Sequence, residues 1–185
     1  VKEKRALALV GMPGAGKSTC AAHLTEHGLP HFRFGSVVTS EVARRGLPLT
    51  PANERLVREE FRAQDGMDAI AKRALPYLRH LLRDHDLIVI DGLYSFSEYT
   101  MLSRELPARL IVIAIVSDRD VRYARLARRT ERPLSREEAI ARDMAEIVNL
   151  EKGGPIAIAD YTLLNNDTPE ALNAALDALL ESLRA

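Results

Sequence analysis

The segment Gly11-Met12-Pro13-Gly14-Ala15-Gly16-Lys17-Ser18-Thr19 follows the apolar run Ala6-Leu7-Ala8-Leu9-Val10 and opens a stretch of helical composition. A buried strand, a glycine-rich turn and a helix start, in that order, are what a phosphate-binding loop requires. The glycines let backbone N–H groups turn inward around phosphate oxygens, and the new helix adds the partial positive charge of its N-terminus. Lys17 is then placed to reach the β- and γ-phosphates of a nucleoside triphosphate, and Ser18 to ligate Mg²⁺. Gly11, Pro13, Gly14, Ala15, Gly16 and Thr19 complete the expected ATP-binding set, although a hydroxyl at position 19 can equally bond its own helix backbone. A plain glycine-rich turn is the competing reading, and the match at every fixed position of the motif speaks against it.

Apolar, β-rich runs recur at Leu7 to Val10, Leu87 to Ile90 and Leu110 to Val116, with weaker ones at Pro30 to Phe34 and Tyr161 to Leu164. Helical patterns lie between them, an alternation that predicts an α/β fold with a parallel sheet. Continuous runs such as Leu87-Ile88-Val89-Ile90 suit strands covered on both faces, and ligands of such sheets sit beyond the carboxyl ends of the strands. Chemistry is therefore expected after Val10, Phe34, Ile90 and Val116. Thr50-Pro51, Ser95 with Glu98, Ser135 with Glu138, and Thr168-Pro169-Glu170 mark helix starts. Pro76 falls within the pattern from Asp65 to Arg83, which is read as a kinked helix or two helices. The amphipathic pattern from Pro169 to Leu183 is expected to cover the sheet. With 185 residues, 46% of them hydrophobic, and no internal repeat, a single domain spanning 1–185 is expected.

Formal net charge is zero and the sequence pI is about 7.1. That balance lacks the global basicity of non-specific nucleic-acid binders, so any anion site is local. No apolar segment approaches the roughly 20 residues that span a bilayer, and the charged start Val1-Lys2-Glu3-Lys4-Arg5 leads into a strand rather than a signal-peptide core. Cys20 is the single cysteine; it offers no intramolecular disulfide and reads as a small buried hydrophobe in a reducing cytoplasm. The expectation is a cytoplasmic protein without membrane or stable nucleic-acid partners, monomeric or homodimeric. His23 and His27 share i, i+4 spacing, but no third ligand accompanies them in the sequence, so a metal role is not expected. Neither a Gly-x-Ser-x-Gly elbow nor a paired-cysteine motif is present, which removes the common hydrolase and redox readings.

Leu87-Ile88-Val89-Ile90-Asp91-Gly92 sets a carboxylate at the end of a buried strand with a glycine after it. Asp91 there can hold Mg²⁺ through water or accept the proton of an attacking group, and it could also be a strand-end turn residue. Arginines concentrate at 119, 122, 125, 128, 129, 132 and 136. Arg125, Arg128, Arg129 and Arg132 are spaced so that some share a helix face before Pro133, and a mobile segment could fold them over phosphates as a lid. A solvated helix pairing these arginines with Glu131, Glu137 and Glu138 is the alternative. Arg142 beside Asp143 could add one more phosphate contact.

These features, in this order, resemble P-loop kinases of the nucleoside monophosphate kinase and dephospho-CoA kinase group. The matching segments are Gly11 to Thr19, Phe34-Gly35 through Gly46, Asp68 to Arg73, Ile90-Asp91-Gly92 and Ala159-Asp160-Tyr161 leading to Asn165. The chain looks most similar to an archaeal-type, adenylate-kinase-related branch whose members are often labelled only as AAA-type ATPases or kinases. The resemblance implies a three-layer P-loop NTPase fold with a five-stranded sheet ordered 2-3-1-4-5. It also implies a core at about 1–34, 85–124 and 137–185, a helical acceptor-binding insert at about 35–84 and a short arginine-rich lid at about 125–136. It makes Asn165 and Asn166 candidates beside an adenine, a turn role being the other reading.

The chain departs from that family where the acceptor binds. Gly35-Ser36-Val37-Val38-Thr39 replaces a Gly-Asp followed by an arginine, and Leu93-Tyr94-Ser95 occupies the place of an acceptor-phosphate arginine. Expected acceptor contacts are Gly35, Ser36, Arg44, Arg58, Gly92, Tyr94 and Arg132, with Arg33, Arg45, Arg55 and Arg73 as further cations. Tyr94 and Phe96 could stack on a base or belong to the core. The resulting expectation is an ATP- and Mg²⁺-dependent phosphotransferase that uses Lys17, Asp91, Arg125 and Arg129 for catalysis, Ser18 and Asp91 for the metal, and Arg128 and Asn165 as further nucleotide contacts. Its acceptor would be a nucleoside monophosphate or a nucleotide-like small molecule. Dephospho-CoA is an alternative acceptor, and a nucleotide-dependent switch or slow ATPase acting on a protein partner is an alternative of another class.

Overall fold

Residues 3–184 are described by a computed structural model of the chain; Val1 and Lys2 of the charged start, and Ala185, lie outside them. Five strands form one parallel sheet: β1 (Arg5–Val10), β2 (His31–Arg33), β3 (Leu87–Asp91), β4 (Arg109–Val116) and β5 (Tyr161–Leu164). Their spatial order is β2-β3-β1-β4-β5, the expected 2-3-1-4-5, with every pairing parallel.

Period-two geometry sends alternate residues of each strand to opposite faces, and the two faces have separate cores. Ala6, Ala8 and Val10 of β1, Ile88 and Ile90 of β3, and Val112 and Ala114 of β4 join one core. There they meet α2 (Gly35–Arg44), α3 (Pro51–Asp65), α4 (Ala69–Asp84) and α5 (Phe96–Glu105). Leu7, Leu9, Val89, Ile111, Ile113 and Ile115 line the other face, covered by α1 (Lys17–Glu26) and by Leu172, Leu176 and Leu180 of α9 (Pro169–Arg184). Because α2 to α4 bury Val42, Val57, Phe61, Ala74 and Leu78 in the same cluster as the strands, the helical segment 35–84 shares the main core.

Most helix starts behave as their sequences predict. Thr50 accepts from the Asn53 N–H with Pro51 in the first turn, and Ser95 with Glu98 and Ser135 with Glu138 each close a reciprocal capping box. Pro76 sits inside a single helix, α4, rather than dividing two. The arginine-rich stretch corrects its expectation: α6 (Arg119–Ala127) stops before Arg128, and α7 (Arg136–Leu150) begins after a turn. Arg128 caps α6 and Arg132 adopts φ 53°, so Arg125 alone of the four stands on the helix. A short α8 (Gly153–Ala157) leads into β5. Among the described residues no helix is long and apolar enough to cross a membrane.

Candidate phosphate site

The loop between β1 and α1 is shaped by the residues packed behind it. Gly16 has φ 109°, and a Cβ there would collide with the side chain of Asn165. Gly14, with φ 79°, leaves room for the Arg122 carbonyl, which a Cβ would approach to 2.8 Å. Both positions need glycine for conformation and for space. Asn165 follows β5; its Nδ2 donates to the Ala15 carbonyl (2.8 Å), and its own carbonyl accepts from Ser117 Oγ (2.6 Å) and Arg125 (2.9 Å). Asn165 is buried, and its side chain props the loop from behind. The Asn166 side chain is likewise engaged by the Asp118 N–H at 2.8 Å.

In front of the loop lies an open cavity of about 890 Å³. Pro13, Gly14, Gly16, Lys17, Ser18 and Thr19 form its floor, and Asp91, Tyr94, Arg125 and Arg129 stand around it. Gly11 and Ala15 are buried within the loop itself. The sheet explains the placing of Asp91, since it ends β3 in register with Leu9 of β1 and Arg33 of β2. Gly92 then turns the chain at φ 97°, and Tyr94 folds back against it with its hydroxyl 3.1 Å from where a Cβ would be.

Three lining residues carry no motif and were missed by sequence reasoning, His31, Glu146 and Lys152, while Arg33 and Arg142, named from the sequence as further cations, line the cavity with them. His31 Nε2 stands 3.8 Å from an Asp91 carboxylate oxygen. Lys152, just past α7, is buried, pairs with Glu146, and holds its ammonium 5.0 Å from the centre of the Tyr94 ring. Arg142 donates to Glu146 at 3.2 Å. Lys17, Arg33, Arg125, Arg129, Arg142 and Lys152 thus face the cavity against only Glu26, Asp91 and Glu146. A cavity with such an excess of cations attracts a polyanion.

Lys17 itself is turned onto the loop, its Nζ donating to the carbonyls of Gly11 (2.7 Å) and Met12 (3.2 Å). Burial first, and then the neighbouring Lys152 ammonium, push its pKa down to about 7. Burial also lowers the Lys152 pKa, with Glu146 pulling it back. Cys20 behind the loop behaves as expected, fully buried, its thiol pushed up to about 12.

Arg122 braces the loop from another side. One of its nitrogens donates to the Pro13 carbonyl (3.0 Å), and the guanidinium grips both carboxylate oxygens of Asp143 at 3.0 and 2.6 Å. The Tyr123 hydroxyl adds a bond to the same carboxylate at 3.0 Å. Asp143 is therefore committed to structure, while Arg142 beside it faces the cavity.

The expected acceptor residues are dispersed. Ser36 and Arg44 line a second cavity of about 510 Å³ among Phe32, Phe61, Arg73 and Tyr77. Phe32 stacks on Tyr77 with ring centres 5.5 Å apart, and the Arg73 guanidinium lies 3.8 Å from the Phe61 ring centre. Arg33 lines the first cavity and Phe32 the second, so the two flank the β2–α2 segment, to which Gly35 contributes backbone. Arg58, half-buried on α3 with Glu54 at 3.9 Å, lines neither. Arg128 and Arg132 are exposed and also stand outside both cavities. Phe96 stacks on Tyr99 at 5.8 Å and packs against Gly154.

A family model described as an AAA domain matches residues 10–141. The UPF0200 protein of Thermococcus sibiricus is 34% identical over 180 residues, covering 96% of this chain and 94% of its own length. The chain belongs to the UPF0200 family and carries an AAA domain. A second UPF0200 protein, from Methanocaldococcus jannaschii, is 32% identical over 179 residues, with 96% and 89% covered. Among solved structures, a Thermus thermophilus protein superposes on this UPF0200 chain with a TM-score of 0.70 at 23% identity, over 98% of the one and 99% of the other. Shikimate kinase from Acinetobacter baumannii, in complex with shikimate, gives 0.58 at 18% identity, over 98% and 94%. At such identities the likeness is one of fold, and the fold is that of P-loop kinases.

Proposed function

We propose that the chain is an ATP- and Mg²⁺-dependent phosphotransferase acting on a nucleotide-like small molecule, a nucleoside monophosphate foremost. The observation that carries this reading is the cation-rich cavity in which the loop, Asp91 and Arg129 face one another. Lys17 would exchange its loop carbonyls for the β- and γ-phosphates, and Arg125, Arg129, Arg142 and Lys152 would surround the migrating group. The exposed Ser18 hydroxyl and the Asp91 carboxylate offer hard oxygen donors on the same cavity, a set that fits Mg²⁺. Bound there, the ion would offset phosphate charge as it develops. Segment 35–84 would hold the acceptor, the stacked Phe32 and Tyr77 suiting a planar base and Arg44 an anionic group. The turn at 128–135, with Arg129, would act as the lid.

A hydroxyl acceptor, as on dephospho-CoA, is the second reading. Asp91 favours it, since a carboxylate that pairs with His31 and with no arginine among the described residues can take the proton of an attacking hydroxyl. Fold neighbours named as shikimate, sugar and gluconate kinases point the same way. The test is ADP formation from Mg-ATP, alone and with a panel of nucleoside monophosphates and dephospho-CoA. Acceptor-stimulated turnover with a phosphorylated product is expected, abolished in Lys17→Ala and cut about 100-fold or more in Asp91→Asn. Turnover that no acceptor stimulates would overturn the kinase reading in favour of a switch or slow ATPase.

A further inference from the structure

On the sheet face remote from the acceptor cavity, α1 and α9 pack side by side, and their seam holds a group of side chains that no phosphate chemistry uses. His23 stands near the end of α1 and His27 caps that helix one turn on, with ring centres 4.3 Å apart. The third ligand missing from the sequence pattern is supplied by the fold: Asp177 of α9 brings its Oδ1 within 2.7 Å of His23 Nε2. Ligand atoms of the three residues all lie within 4.8 Å of one another. We propose that His23, His27 and Asp177 form a binding site for a divalent transition-metal ion of the zinc, cobalt or nickel class, clipping α9 to α1.

The hydrogen bonds favour ligation. His27 Nδ1 lies 2.8 Å from the His23 carbonyl. A carbonyl only accepts, so Nδ1 carries the hydrogen and, in the neutral ring, Nε2 keeps a free lone pair. A ring nitrogen fixed by a backbone carbonyl while the other points outward is the arrangement that orients histidine toward a metal. At His23 the carboxylate likewise only accepts, so Nε2 donates in the absence of an ion, and a metal would take the place of that proton. Tetrahedral bonds of about 2.0–2.1 Å separate ligand atoms by about 3.3 Å, so the His23 and Asp177 atoms need to part by about 0.6 Å from 2.7 Å and the widest pair to close by up to about 1.5 Å from 4.8 Å, within the rotamer freedom of a partly exposed site. Two imidazoles with one carboxylate select borderline transition ions over Mg²⁺ or Ca²⁺. One turn before Asp177 on the same face of α9, the buried Oδ1 of Asn173 has no hydrogen-bond partner among the described residues. Cys20, at the other end of α1, is sealed in the core and does not compete.

The test uses the whole chain, stripped of metal by chelator, free of any histidine tag and without nucleotide. Zinc chloride is titrated by calorimetry, and cobalt chloride is followed by visible absorption. The expected result is one ion per chain, tetrahedral cobalt bands, and a melting temperature raised by zinc. His27→Gln, an exposed change that leaves the fold intact, should weaken zinc at least tenfold, and Asp177→Asn should do the same while removing the zinc-dependent rise in melting temperature. No heat and no cobalt spectrum would overturn the proposal. So would binding that is undiminished in His27→Gln, because the ion would then be held elsewhere, for instance at Asp91.

Discussion

Lys17 spends its ammonium on two carbonyls of its own loop, in a setting that already holds Lys152 and Arg142. Burial, and next the Lys152 ammonium, lower its pKa from an ordinary value near 10.5 to about 7 despite those bonds. Between about 7 and 10.5 the unfolded chain binds a proton that the folded chain lacks, so this residue makes stability rise with pH across that window. A bound triphosphate reverses the preference, because anionic oxygens favour the charged amine. Binding of Mg-ATP at pH 8 should accordingly take up about one proton, and affinity should fall as pH climbs above 7. Calorimetry in two buffers of different ionisation enthalpy measures the uptake; a binding heat independent of buffer would show that Lys17 is already charged. Lys17, Ser18 and Asp91 were legible in the sequence because a motif and a strand end fix their positions. Lys152, Glu146 and His31 were not, since each reaches the cavity from a distant segment through packing that leaves no local pattern.

Among elements, the helix caps were the most readable, being decided within four residues. The box at the start of α5 has an added property. Glu98 is fully buried, accepts from the N–H groups of Tyr94 (2.8 Å) and Ser95 (3.1 Å), and has its pKa raised to about 7 by burial. A raised carboxyl pKa contributes stability that is complete below about 4.5 and lost as pH rises through 7. Glu98→Gln keeps an oxygen for both N–H groups and removes the titration. Melting curves should show the wild type losing up to the order of 3 kcal/mol relative to the variant between pH 4.5 and 8; parallel curves would refute the assignment. The end of α6 was harder to foresee. Arg128 and Arg129 have good helix propensity, yet the chain turns after Ala127 and the Leu134 N–H bonds to the Leu126 carbonyl. Leu126 and Tyr123 are buried with Ala139 of α7 and Leu134 packs on them, so tertiary contacts set the boundary.

Across the whole molecule, the parallel sheet and its two-sided core follow from the alternation of β-rich and helical runs, while the strand order was implied only by the resemblance to P-loop kinases. What ties distant segments together is polar. Arg122 joins the loop at Pro13 to α7 at Asp143, with almost no solvent contact at either end. Breaking such a buried pair on one side leaves an uncompensated charge and costs about 3–5 kcal/mol. Arg122→Met should lose that much in urea unfolding and weaken nucleotide binding, because the Pro13 carbonyl loses its donor. Arg122→Met combined with Asp143→Leu should recover much of the stability but not the binding. Unchanged unfolding in the single variant would deny the brace its role. The Asn165 prop carries a different implication, one of timing. The loop's own residues leave the ribosome well before the amide that holds Ala15 in place, which lies 150 residues further along the chain. A chain extended only through the loop possesses the motif without its backing, so nucleotide cannot act as a template for the earliest folding and can reward only a chain already made past Asn165.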